Sequence, residues 1–147
     1  MPWLASIFAF LAGALVTVQA GSNAQLKQGF DTPMPALLVN YVLGFTAVLG
    51  YALLARVPWP AVGQAASVPW WAWLGGAAGA FYGVAAILLA HSLGAATLMA
   101  LAVSGQLLAS VAFDHFGWLG FEVHPAGWAR VAGCLLMIGG FVLIAKH

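Results

Sequence analysis

Residues 3–26 read WLASIFAFLAGALVTVQAGSNAQL, and no residue in this stretch carries a formal charge. A helix of roughly 20 apolar residues crosses a hydrocarbon core about 30 Å thick, so the stretch predicts a membrane-spanning helix. The sequence as a whole predicts an all-α, polytopic membrane protein with five transmembrane helices. The four further apolar runs lie near residues 34–55, 70–91, 94–113 and 126–145.

The composition excludes most water-soluble classes of protein. The chain of 147 residues is 64% hydrophobic and 5% charged, which leaves too few polar groups to cover a surface that faces water. The two longest connections, residues 56–69 and 116–125, are too short to bury a core of their own. We therefore predict a single transmembrane domain over residues 1–147. Four Lys and Arg residues cannot form a basic surface for nucleic acid.

The positive charges do not favour one orientation in the membrane. If the N-terminus lies on side A, Arg56 and Arg130 flank side A, and Lys27 and Lys146 flank side B. An excess of Lys and Arg normally marks the cytoplasmic side, and here the count is tied. The tie predicts insertion in both orientations and hence an antiparallel homodimer, unless the N-terminal amine or the first hairpin fixes one orientation.

The tryptophans are distributed on one side only. All of them fall at side A, whereas membrane proteins usually carry aromatic belts at both interfaces. An inverted pair of chains would supply the second belt, which is consistent with the tied charges. The residues are Trp3, Trp59, Trp70, Trp71, Trp73, Trp118 and Trp128.

Small residues repeat every four positions along two spans. Such ladders let helix backbones approach closely in lipid, where apolar burial supplies little drive for association. We expect the helices to pack tightly along them. The ladders are Ala5, Ala9, Gly13, Thr17 and Gly21 in the first span, and Gly75, Gly79 and Gly83 in the third.

Polar residues inside the spans are the main indication of function. Gln19 and Asn23 are one turn apart, on the face of the first helix opposite its small-residue ladder. Polar groups in a span face a neighbouring helix or a watery cavity. Both alternatives stay open here: bonds that hold helices together, or a shared cavity. The other polar positions are Asn40 in the second span and the stripe Gln106, Ser110 and Asp114 in the fourth.

Asp114 is the one acidic residue near a span, in the last turn of the fourth predicted helix. We expect an interfacial ion pair with Arg130 or Arg56, and an ion-coupling role is the alternative. The sequence contains no nucleophile, phosphate-loop or metal-binding motif, so we predict no enzyme, no cofactor and no metal site. The nearest candidates for metal ligands have a spacing that matches no metal-binding signature; they are Asp114, His115, Glu122 and His124.

Several motifs together resemble a known family. The set is similar to the YdcZ-like family of small bacterial inner-membrane proteins, in the drug/metabolite transporter superfamily. The resemblance implies a role in export and five-helix subunits that occur as antiparallel homodimers, as oppositely oriented pairs or as fused ten-helix chains. For this chain we expect an antiparallel homodimer that forms a ten-helix inverted-repeat bundle. The motifs are Gln19-x-x-x-Asn23, Asn40-x-x-x-Gly44, Trp73-Leu74-Gly75-Gly76-x-x-Gly79-Ala80-x-Tyr82, Leu93-Gly94-Ala95-Ala96, Gly105-Gln106-Leu107 and Asp114-His115-Phe116-Gly117.

The first span departs from a related group, the small multidrug resistance proteins, which place a glutamate there for proton exchange. Amides cannot exchange a proton in this way. We therefore expect a secondary transporter that exports a small polar or amphipathic solute by alternating access between inverted protomers. The alternatives are a passive dual-topology channel and a non-transporting accessory subunit. The expected substrate-binding residues are Gln19, Asn23, Asn40 and Gln106, with Tyr82 and Trp73 for stacking or cation–π contact.

Overall fold

The computed structural model describes residues 2–146, with side chains from residue 3 onward. Over this range the chain forms helices and irregular connections and no strand, which confirms the all-α prediction. The helices are α1 (Pro2–Phe30), α2 (Pro33–Leu54), α3 (Val62–Ala66), α4 (Leu74–Leu93), α5 (Ala95–Phe116) and α6 (Trp128–Lys146), with 3-10 turns at Trp70–Trp73 and Trp118–Gly120.

Five of these helices are long and apolar enough to cross a membrane: α1, α2, α4 with the 3-10 turn before it, α5 and α6. The five predicted spans are therefore confirmed. The ends differ by a few residues, and the largest difference is at α1, which continues to Phe30 and includes Lys27 in its last turn. A cation there is favourable because the carbonyl end of a helix is partly negative.

The chain forms two compact units, the first up to His91 and the second from Ser92, and each is described by itself. In the first unit α1 packs against α2. Its small core consists of Ala36 and Leu37 from α2 and Ile87 from α4. Most large apolar side chains are exposed, as expected where lipid tails are as apolar as the side chains they meet.

The face of α1 that packs within the first unit is the face with the amides. Ala20 and Asn23 are buried, whereas among the described residues nothing lies within 4 Å of a Cβ added at Gly13. The predicted packing along the ladder of α1 is therefore wrong within this unit. The ladder of α4 does pack at Gly83, where an added Cβ would lie 2.6 Å from Leu37 Cδ1.

In the second unit α5 packs against α6, and the connection between them folds back onto the end of α5. Gly117 turns the chain with a φ of 64°, in the left-handed region that favours glycine. The ring of Phe113 then lies 6.3 Å from that of Trp118 and 6.4 Å from that of Phe121. This aromatic contact fixes the connection against its helix.

Candidate functional site

Three helices of the first unit line an open cavity of about 230 Å³. Each helix contributes polar side chains or small residues that leave space beside them. The lining residues are Val16, Gln19, Ala20 and Asn23 from α1, Asn40 and Tyr41 from α2, and Gly79, Tyr82, Gly83 and Ala86 from α4.

Counted along the helices, the cavity lies within the segments that are long and apolar enough to cross a membrane. At about 1.5 Å per residue, Gln19 is roughly 16 Å from the end of α1, and Asn40 is roughly 10 Å from the start of α2. Tyr82 is roughly 16 Å from the end of α4. Because successive spans cross in opposite directions, the end of α1, the start of α2 and the end of α4 are all expected on side B. Polar side chains at this depth have no bulk water around them, so their partners come from the protein or from the contents of the cavity.

Two predicted binding residues on different helices are joined directly. The side-chain amide of Gln19 donates a hydrogen bond from Nε2 to Oδ1 of Asn40, over 3.2 Å. This bond ties α1 to α2 at the cavity wall. It also shows that the two alternatives for the polar faces are not exclusive, because residues that hold the helices together line the cavity as well.

Asn23 differs from the paired amides. It is 6% exposed and lines the cavity, and its side chain has no hydrogen-bond partner in residues 2–146. No fully buried side-chain nitrogen or oxygen in the described chain is unpaired, so the amide atoms of Asn23 must still be reached from the cavity. An amide has two N–H donors and a carbonyl acceptor. Those groups are available to whatever occupies the cavity.

The wall offers hydrogen bonds and aromatic faces but no formal charge. Its polar groups are three amides and two phenols. Such a wall can bind a solute through donors, acceptors and ring faces. Tyr41 also lines the cavity and was not among the residues predicted from the sequence. Its position next to Asn40 in an apolar span was the available signal, because both residues carry hydrogen-bonding groups.

The two remaining predicted binding residues lie outside this cavity wall. Trp73 belongs to the 3-10 turn before α4 and is 64% exposed. Gln106 belongs to the second unit, where it is exposed and its backbone carbonyl accepts a hydrogen bond from Oγ of Ser110 over 2.8 Å. A contribution of either side chain to binding stays a prediction.

Asp114 forms the predicted ion pair. Nη1 of Arg130 lies 3.0 Å from Oδ2 of Asp114 and donates to the carbonyl of His124 over 3.2 Å. The backbone N–H of His124 donates in turn to the carbonyl of Asp114 over 2.8 Å. The pair therefore fastens the connection between α5 and α6, and an ion-coupling role for Asp114 stays a prediction.

A second cavity of about 410 Å³ adjoins this ion pair in the second unit. It is lined by Leu107, Ser110, Val111, Asp114, Arg130, Gly133, Cys134 and Met137. Its polar groups at Asp114 and Arg130 already bond each other. Over the described part of the chain, no three His, Cys, Asp or Glu residues are grouped so that they could hold a metal ion.

Comparison with known proteins gives the family. The profile described as "Putative inner membrane exporter, YdcZ" matches residues 4–143. The chain belongs to the YdcZ family. It is also 28% identical over 146 residues to the "Inner membrane protein YdcZ" of Escherichia coli (strain K12), across 95% of this chain and 93% of that protein. No solved structure matches.

Membership in the YdcZ family confirms the resemblance found in the motifs. It also agrees with the five apolar helices, and the chain is a multi-pass protein of the inner membrane. The family is described as one of exporters and is not an enzyme family. The solute and the mechanism are not part of that description.

Proposed function

We propose that this YdcZ-family protein is a secondary transporter that exports a small polar or amphipathic solute through the cavity between α1, α2 and α4. The observation that carries the proposal is Asn23, an unpaired amide that is nearly buried and lines a cavity within the apolar spans. Amides that served only to join helices would bond to each other, as Gln19 and Asn40 do. Asn23 instead leaves its donors and acceptor for a solute.

We further propose that two copies work as an antiparallel pair. The tied Lys and Arg count and the tryptophans confined to side A support this arrangement. The small-residue ladder of α1 adds support, because Ala9, Gly13 and Thr17 are exposed in the single chain. A second copy is the occupant that would let such a ladder pack closely in lipid. In this arrangement the inverted copies exchange conformations during alternating access.

Flux in liposomes tests the transport role. The purified protein is reconstituted, and uptake of radiolabelled small polar solutes is followed by counterflow. We expect saturable uptake that weakens in Gln19→Leu and Asn23→Leu, because each change removes an amide from the cavity wall. Gln25→Leu is the matched control, since Gln25 is an exposed amide on the same helix that does not line the cavity.

Unchanged flux in both cavity variants would reject the cavity as the solute path. Gln106→Leu extends the test to α5, and we expect weaker flux there as well if its amide serves the same solute. Electrical recording on the same preparation separates a carrier from a passive channel. A carrier gives no unitary currents, and their presence would contradict alternating access.

A further inference from the structure

We propose that the transported solute is an uncharged molecule with both hydrogen-bond donors and acceptors, and that Asn23 is the residue that recognises it. This inference rests on the transport role proposed above and names the chemical class of the solute. It follows from three properties of the cavity in the first unit. They are the lack of charged side chains in its wall, the hydrogen bonding of its amides, and its volume.

The cavity wall contains no side chain that could neutralise an ion. Its lining consists of amides, phenols and small or apolar residues. Lys27 lies one turn beyond Asn23 on α1 but is not part of the wall. An ion that entered at this depth would lose its water without gaining a counter-charge, which is unfavourable in a low-dielectric site. An uncharged solute loses much less hydration, and amide hydrogen bonds can replace it.

Asn23 presents both kinds of hydrogen-bonding group to the same occupant. Its amide offers two N–H donors and one carbonyl acceptor, and the described chain satisfies none of them through a side-chain bond. Because no fully buried side-chain nitrogen or oxygen in the described chain is unpaired, the amide atoms of Asn23 stay accessible from the cavity, and a ligand that offers a hydroxyl or an amide can bond to them. Gln19 and Asn40 already share one bond, which leaves Asn23 as the least satisfied amide of the wall.

The size of the cavity suits a small molecule. The cavity of about 230 Å³ corresponds to several water molecules at about 30 Å³ each in the liquid. A four-carbon polyol or a simple carboxamide fits this size. The competing occupant is a small organic cation held on the ring faces of Tyr41 and Tyr82, and the test must separate the two.

Thermal unfolding of the purified full-length protein in detergent provides that test. The neutral probes are erythritol and acetamide, and the charged probes are tetramethylammonium and acetate. A ligand that binds the folded protein raises its unfolding temperature in a saturable way. We expect an Asn23-dependent, saturable rise with a neutral probe, and an apparent affinity about tenfold lower in Asn23→Leu, as for the loss of one hydrogen bond. Gln25→Leu should behave as the wild type, which controls for the loss of an amide from α1. The rise that remains in Asn23→Leu measures the general stabilising effect of polyols.

A second variant keeps the test decisive if Asn23→Leu does not fold. Asn23→Asp nearly preserves the shape of the side chain and places a carboxyl group in the wall. We expect this variant to respond less to acetamide, because its carbonyl loses the N–H donors of Asn23, and to gain a saturable response to tetramethylammonium. The proposal would be overturned if a charged probe raised the unfolding temperature of the wild type in a way that depends on Asn23. It would also be overturned if neither neutral probe produced such a rise.

Flux of the same probes distinguishes failure of this inference from failure of the transport role. If a neutral probe binds through Asn23 but does not cross the liposome membrane faster than in protein-free vesicles, the transport role fails and the solute class stands. If a charged solute is carried saturably and the flux depends on Asn23, the transport role stands and the solute class is wrong.

Discussion

Gly83→Ala probes the contact that shapes the cavity wall. The added Cβ would lie 2.6 Å from Leu37 Cδ1 and 3.2 Å from the hydroxyl oxygen of Tyr41. Carbon atoms in comfortable contact are about 3.5–4.0 Å apart, so the Leu37 methyl group must move by about 1 Å. Leu37 is 5% exposed and packs with Ala36 and Ile87, which leaves it little room. Overpacking of this kind destabilises a protein by about 1–3 kcal/mol.

The gain in helix propensity must be separated from this cost. Replacement of glycine by alanine inside a helix is favourable by about 1 kcal/mol. Gly76→Ala in the same helix is the control, because among the described residues no packed neighbour lies within 4 Å of a Cβ added at Gly76. We expect Gly83→Ala to have a free energy of unfolding about 1–3 kcal/mol lower than Gly76→Ala, measured by SDS titration in mixed micelles. Equal stability of the two variants would refute the close approach of α4 to α2.

Two further variants test the polar contacts. Asp114→Asn should lower the free energy of unfolding by less than about 1 kcal/mol, because the ion pair of Asp114 is partly exposed. The variant should keep its flux, and loss of flux in a folded variant would instead assign ion coupling to Asp114. A double-mutant cycle of Gln19→Leu and Asn40→Leu should give a coupling of about 0.6 kcal/mol by SDS titration, whereas additive effects would contradict the bond between them.

Much of the fold follows from the sequence because lipid leaves few alternatives for a long uncharged apolar run. The five spans were predictable from length and composition alone. Part of the site followed too, since Gln19, Asn23, Asn40 and Tyr82 were selected from the sequence and all line one cavity. Their common property is that they are polar groups within apolar spans, and such groups are favoured beside a neighbouring helix or a cavity.

The arrangement of the faces could not be predicted in the same way. Helical periodicity shows that Gln19 and Gly13 lie on different faces of α1, but it does not say which face meets a neighbour in the same chain. In lipid both a small-residue face and a polar face can pack. The structure places the amide face inward, and only there does Asn23 become an unpaired group beside a cavity. The foldback after Gly117 likewise depends on contacts that composition does not specify.

The most direct test of the inverted pair is the location of the C-terminus after Lys146. Fusions to a reporter active only in the cytoplasm and to one active only in the periplasm are compared in otherwise identical cells. We predict activity from both fusions, because the evenly divided Lys and Arg residues leave the chain free to insert either way. Activity from one fusion alone would show a single orientation and would contradict the proposed antiparallel dimer and the transport cycle proposed for it.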